Sequence, residues 1–359
     1  MASFLLFLAD YIWYLLVEKT KHLVKTGIKI IWACFFCTLF IRVGAQDVSF
    51  SQFYSNPLYL NPAFAGSVDA PRVALQYRNQ WHSFNNAYTT FSAAIDFPVP
   101  KLQGGLGFYV LNDAQANNTL NALQFNAVYS TFVRIDETFM LNGAIQAGYH
   151  QNSLKTDNLI FADNLEPNSG NHGVSAELQY LNDPNYSFLD FSTGILLYSE
   201  KYFLGLAAHH LAEPRQSFYS GQEDVARLNR KYTMHLGARL PVYLYGQQRK
   251  EFDVSPQLIV QKQSVFSQLN YGIFATKFGF TAGAWFRQNF GWRYDAVIFL
   301  VGFVKKNWQL FYSYDLTVSG LRGDAGGTSE ISLSFILKDI GEQRNLPFYN
   351  RYEEQFGGK

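Results

Sequence analysis

Charge is what this sequence has least of. Of 359 residues, 16% are Asp, Glu, Lys or Arg, and the formal net charge is +1. A soluble domain carries roughly a quarter charged residues, so the chain is poor in the groups that keep a surface in water. Near-neutrality also removes the basic footprint that nucleic-acid binding requires, and no nucleic-acid partner is expected. Cysteine is confined to Cys34 and Cys37, inside an apolar run, which argues against a redox or metal site. Neither apolar run near the start, Phe4 to Val17 or Ile28 to Ile41, reaches the ~20 residues needed to span a bilayer as a helix. Internal repeats, low-complexity tracts, a nucleophile elbow and a phosphate-cradling glycine loop are all missing.

What is there is aromatic. Phe, Trp and Tyr make up 17% of the chain, with a mean hydropathy of −0.09. High aromatic content, low charge and middling hydropathy together suit a membrane barrel, whose strands offer apolar side chains on one face only. From residue 70 the period is two. Val73, Leu75 and Tyr77 alternate with Ala74, Gln76 and Arg78. Leu123, Phe125, Ala127 and Tyr129 oppose Gln124, Asn126 and Ser130. Leu141, Ile145, Ala147 and Tyr149 face away from Asn142, Gln146 and His150, and Ile331, Leu333 and Phe335 from Glu330, Ser332 and Ser334. A soluble sandwich would show the same alternation.

Loop lengths separate the two. About fourteen strands fit, at 70–80, 88–97, 104–112, 120–131, 136–150, 190–198, 202–211, 230–241, 252–262, 267–276, 278–288, 292–303, 307–317 and 328–337. With both termini in the periplasm the turns on that side are mostly short, while 151–189, 212–229 and 318–327 fall on the other. That sorting is expected of an all-β, transmembrane antiparallel β-barrel, and a sandwich has no reason for it. The turn from Tyr243 to Lys250 is longer than the rule expects. Closure follows from the absence of water in the hydrocarbon layer, which forces the last strand to pair with the first. Arg78, Asp315 and Glu330 are then expected to point into the lumen, and Tyr54, Trp81, Trp292, Tyr294 and Trp308 to form interfacial girdles.

The chain divides into 1–45, 46–69, 70–337 and 338–359. Lys21, Lys25 and Lys29, the apolar run and Val43-Gly44-Ala45 form a secretory signal with cleavage expected after Ala45. The first apolar run reads as an upstream extension, because no methionine lies between Met1 and Met140; translation is expected to start at a codon such as that of Val24. Residues 46–69 form a strap before the barrel, and 338–359 a periplasmic tail.

The strap carries the most distinctive stretch, Phe50-Ser51-Gln52-Phe53-Tyr54-Ser55-Asn56-Pro57-Leu58-Tyr59-Leu60-Asn61-Pro62-Ala63-Phe64-Ala65-Gly66. Two Asn-Pro steps predict an extended, rigid segment around the apolar plug Leu58-Tyr59-Leu60, with Gly66 freeing a turn. It serves either as a strap packed on its own barrel or as a docking site for a partner; the spacing favours the strap.

Catalytic and metal readings are thin. His209 and His210 are adjacent, so on a strand they point to opposite faces and do not chelate one metal together. His150 and Ser153 lack a carboxylate to orient the histidine as a lipase would need. Thr156 to His172 is rich in oxygen ligands, among them Asp157, Asn158, Asp163, Asn164, Glu166 and Asn168, without calcium-loop spacing. No enzyme activity and no cofactor are expected.

The opening stretch resembles the start of the PorP/SprF family, outer-membrane proteins of the type IX secretion and gliding machinery. The likeness is carried by Phe50, Ser51, Gln52, Asn56, Pro57, Leu58, Tyr59, Asn61, Pro62, Ala63 and Gly66. It continues in Tyr314, Asp315, Leu316, Ser319, Gly320, Ile331, Leu333 and Phe335, and more weakly in Gly205 to Leu211. The resemblance implies an outer-membrane platform that receives or anchors secreted cargo with a type IX C-terminal domain. It also implies a periplasmic, peptidoglycan-binding adaptor as partner, with outer-membrane lipid around the barrel, and it brings no catalytic residues. The rival is a channel for hydrophobic or small solutes; an open lumen would favour that, and a lumen closed by residues 46–66 the platform.

Overall fold

The computed structural model describes residues 47–84, 87–159, 184–218, 226–243, 250–305, 307–320 and 326–337. The expected signal sequence, the Cys34–Cys37 pair, the tail and most of the oxygen-rich loop lie outside these residues.

Period-two sequence becomes strand throughout. The first seven strands are β1 (Arg72–Gln80), β2 (Tyr88–Val99), β3 (Gly104–Gln115), β4 (Leu120–Arg134), β5 (Met140–Leu154), β6 (Asn185–Tyr198) and β7 (Tyr202–His209). Then come β8 (Lys231–Ala238), β9 (Leu240–Tyr243), β10 (Lys250–Gln263), β11 (Phe266–Lys277), β12 (Phe280–Gln288), β13 (Tyr294–Lys305), β14 (Trp308–Thr317) and β15 (Thr328–Ile336). Both β8 and β9 pair with β10, so they are one strand interrupted at Arg239. Each strand pairs antiparallel with its sequence neighbour, and β15 pairs with β1 in register from Arg72–Ile336 to Gln80–Thr328. The result is a closed barrel of fourteen strands.

The expected strands stand, with several ends shifted by three to five residues. Residues 136–139 form a turn in which Asp136 accepts hydrogen bonds from the Thr138 and Phe139 N–H groups, so β5 starts later than its pattern implied. A carboxylate that satisfies the backbone locally competes with the ladder. At the other end of the β5–β6 pair, β6 begins at Asn185, inside a stretch read as loop.

The two faces sort as expected. Phe125, Tyr129, Ile145, Ala147 and Tyr149 point outward, while Asn126, Ser130, Gln146 and His150 are buried inside. Arg78, Asp315 and Glu330 are each no more than 2% exposed. Tyr54 is not a girdle residue: it lies in the lumen, 5.4 Å from Phe203 and 5.9 Å from His235 by ring centroids. The residues His209 and His210 do not diverge either. Strand β7 ends at His209, and His210 adopts φ 58°, which turns the chain so that both rings are buried.

Candidate functional site

The lumen is filled by the segment between the chain's first described residue and β1. Phe50, Phe53, Leu58, Leu60, Phe64 and Val68 are buried and join lumenal residues of many strands in one hydrophobic cluster. Contrary to the sequence reading, this segment is not extended. It makes a 3₁₀ turn (Phe53–Ser55), one turn of α-helix (Pro57–Leu60) and a second 3₁₀ turn (Pro62–Phe64). The prolines start these turns rather than forbid them, because the first helical position needs no N–H donor and its φ suits proline. The pre-proline rule still holds at Asn61, with φ −157° and ψ 121°. A chain folded into short turns fills width that an extended strand could not.

Asp47 sits beside residues at the long-loop rim, and the segment runs down the lumen to the short-turn rim, where it enters β1. Three clamps hold it. At the top, the Asp47 carboxylate meets His210 Nε2 at 2.8 Å and Lys231 Nζ at 2.7 Å, and its backbone N–H donates to Gln263. His210 Nδ1 contacts Asp190 at 2.8 Å, so the imidazole lies between two carboxylates. Burial alone would lower the His210 pKa, but Asp47 and Asp190 more than offset it and raise it to about 9. Burial likewise opposes ionisation of Asp47, yet His210 and Lys231 hold its carboxyl well below the usual range. Lys231 also lies 4.6 Å from the Tyr59 ring centroid, and the Tyr59 hydroxyl donates to the Val48 carbonyl.

The second clamp joins both ends of the sequence. The Ser51 and Gln52 N–H groups each donate to the Glu330 carboxylate at 2.8 Å. Ser51 Oγ donates to Asp315 and accepts from Arg78 and Arg287. Arg78 pairs with Glu330 and Arg287 with Asp315, both at 2.9 Å. Gln52 Nε2 reaches Ser313 Oγ and the Glu330 carbonyl, while Ser332 donates to its Oε1. The two motifs that the sequence reading singled out separately therefore grip each other across the seam between β1 and β15. Two cations and two carboxylates offset one another in this buried cluster, while Arg78 Nε and Asp315 Oδ1 find no hydrogen-bond partner among the described residues.

The third clamp is uncharged over most of its length. Asn56 Nδ2 donates to Ser92 Oγ at 2.8 Å. Asn61 accepts from the Ala63 N–H, and its Nδ2 lies within hydrogen-bonding distance of the Ile195 and Leu206 carbonyls and His235 Nε2. It reaches the wall because Gly194 and Gly205 leave room; a Cβ at either would collide with the amide. The Phe64 ring stacks on His235 at 5.3 Å. Gly66, at φ 64°, lies against Gly105, where an added Cβ would stand 2.6 Å from Gly105 Cα. Its N–H donates to Asp96, which also takes a forked pair of bonds from Arg72.

Of the motif residues, Phe50, Ser51, Gln52, Asn56, Pro57, Leu58, Asn61, Pro62 and Gly66 are buried in this segment and Tyr59 is half-buried; Asp315 meets it from the wall. Gly320 does not join them: it is exposed on the loop after β14, with open space where a Cβ would stand. The sequence reading missed Arg287, Arg72 with Asp96, and the Asp47–His210–Lys231 cluster. The rule applied to Arg78, that a charge within a barrel strand faces the lumen, would have found Arg287, Arg72 and Asp96.

A closed antiparallel barrel with an apolar outer belt and a lumen occupied by its own N-terminal segment defines an outer-membrane β-barrel protein. The profile of the type IX secretion system membrane proteins PorP/SprF matches residues 43–335, and the chain belongs to that family. No curated protein matches the sequence. Among solved structures, it is similar to the Pseudomonas putida toluene transporter TodX at 9% identity, covering 78% of this chain and 93% of that one, with a TM-score of 0.41. A Pseudomonas aeruginosa FadL homologue gives 10% identity, 77% and 93% coverage and 0.40. Acinetobacter baumannii Omp33 gives 7% identity, 76% and 99% coverage and 0.40. Likenesses this distant bear on neither function nor residue roles.

Proposed function

We propose that the protein is a non-enzymatic platform in the outer membrane that receives or anchors secreted cargo bearing a type IX C-terminal domain. In this reading the long-loop rim faces outward to the cargo. The short-turn rim and the tail face a periplasmic, peptidoglycan-binding adaptor, and the signal is removed after Ala45. The observation that carries the reading is the occupied lumen: residues 47–70 are clamped from Asp47 at one rim to Gly66 at the other. A barrel filled by its own chain is suited to presenting a rigid rim, and an open solute pore is disfavoured.

Asn56→Ala together with Asn61→Ala tests whether the segment shapes that rim. Both prolines remain, so the local turns persist while the amide contacts are lost. The expected outcome is a folded, heat-modifiable barrel of lowered stability whose surface cargo falls further than its abundance. Wild-type cargo display at wild-type abundance would remove the segment from the function.

A further inference from the structure

Strand parity alone puts both ends of the chain on one side. An even number of strands returns the chain to the rim where it started, and Arg72, the first residue of β1, pairs with Ile336, the last of β15. The Leu337 N–H donates to the Pro71 carbonyl, so the chain enters and leaves the wall at the same short-turn rim. The lumenal segment adds a crossing that parity does not count. It passes inside the wall, and its first described residue stands at the opposite rim.

That residue is fixed among the strand ends of the long-loop rim. Asp47 meets Lys231, the first residue of β8, and His210, which follows the last residue of β7. Its N–H donates to Gln263, the last residue of β10, and Gln263 Nε2 returns a bond to its Oδ1. Ser49 Oγ donates to Gln268, near the start of β11. At the other rim the Gly66 N–H donates to Asp96, near the end of β2, and Gly66 lies against Gly105, near the start of β3.

A chain that reaches the long-loop mouth this way has no room to turn back. Ser51, Leu58, Asn61, Ala63 and Phe64 are each no more than 1% exposed. The cavity beside the turn Gln52–Ser55 measures about 50 Å³, which holds a few waters at roughly 10–15 Å³ each and no second pass of polypeptide. Whatever directly precedes Asp47 therefore leaves through the long-loop mouth.

We infer that the start of the mature chain is displayed at the cell surface, within the rim proposed to meet cargo, and not in the periplasm with the tail. That placement rests on the proposed outward orientation of the long-loop rim and on removal of the signal after Ala45. A partner outside the cell can then take hold of the end of the segment that seals the lumen.

A short epitope inserted between Gln46 and Asp47 of the full chain tests this on cells, read by antibody binding before and after the outer membrane is permeabilised. The same epitope after Gly320, on the long-loop side, and after Lys359, on the tail, marks the two sides. Heat-modifiable mobility establishes that each barrel is folded. The epitope before Asp47 should bind antibody equally before and after permeabilisation, as the Gly320 epitope does, while the Lys359 epitope binds only afterwards. If the insertion prevents folding, Ser49→Cys, half-buried at the mouth, takes its place together with Cys34→Ser and Cys37→Ser. It is read with a small membrane-impermeant thiol reagent, with the same forecast. Labelling at the start of the chain only after permeabilisation, with the Gly320 epitope already accessible, overturns the inference and leaves the outward rim standing. A hidden Gly320 epitope beside an accessible Lys359 epitope means that the barrel is reversed, and overturns both.

Discussion

The two halves of the lumenal segment are held by different physics. From Asp47 to Gln52 it is fixed by ions: Asp47 by His210 and Lys231, Ser51 and Gln52 by Arg78, Arg287, Asp315 and Glu330. From Asn56 to Ala65 it is fixed mainly by shape and neutral amides, with Gly194, Gly205 and Gly105 cut away to admit it and one cation, Arg72, reaching the Phe64 carbonyl. Ionic clamps respond to pH and lose most when one partner is removed. Steric fit is indifferent to pH but intolerant of added atoms. The upper half is therefore the part a change of conditions can loosen, and the lower half the part that fixes the fold.

The largest effect is expected where the lower half has no slack. Gly66→Val requires an L side chain at φ 64° and a Cβ within 2.6 Å of Gly105 Cα, backbone that cannot step aside. Almost no heat-modifiable barrel should accumulate in the outer membrane, as read by unheated electrophoresis.

Glu330→Ala is expected to come next. It strands Arg78 and the Ser51 and Gln52 N–H groups, and breaking one partner of a buried pair costs about 3–5 kcal/mol. Hydrogen exchange should rise at residues 48–55 while 61–66 stays protected. Equal deprotection of both halves would erase the distinction between them.

Asn61→Ala ranks third. It leaves the buried Ile195 and Leu206 carbonyls and His235 short of a donor, at about 1–3 kcal/mol. Asn56→Ala, which loses one bond to Ser92, should cost less. Thermal melts in detergent would order the two.

The smallest effect is pH-dependent. His210 titrates near 9 in the folded state, above its ordinary value of 6.5. Its contribution is therefore fully present below about pH 6.5 and lost as pH rises through 9. Asp47 is shifted the other way, so its contribution persists above its ordinary 3.8 and fades only in stronger acid. Exchange at Val48 and Ser49 should quicken above pH 9, after correction for intrinsic rates, and His210→Gln should abolish that step.

Much of the barrel was legible because a period of two repeated over many strands leaves little choice of face, and because lipid forbids outward charge. Arg78, Asp315 and Glu330 could be placed for that reason. The shape of the lumenal segment was not legible, since Asn-Pro reads both as extended chain and as the start of a helical turn. Only the width of the lumen decides between them. The grip of Ser51 and Gln52 on Glu330 spans 279 and 278 residues of sequence, and no local pattern announces it. His210 was misread because a non-glycine residue at positive φ gives no sequence signal. Gln146 and Ser332, on the lumenal face, are buried against other polar groups, so arginine there would overpack the interior.

Conductance across a planar bilayer tests the sealed lumen most directly. Purified protein inserted at neutral pH should give no steady open level, because the segment from Asp47 to Gly66 occupies the lumen from rim to rim. A steady, ion-conducting open level from folded protein would contradict the account.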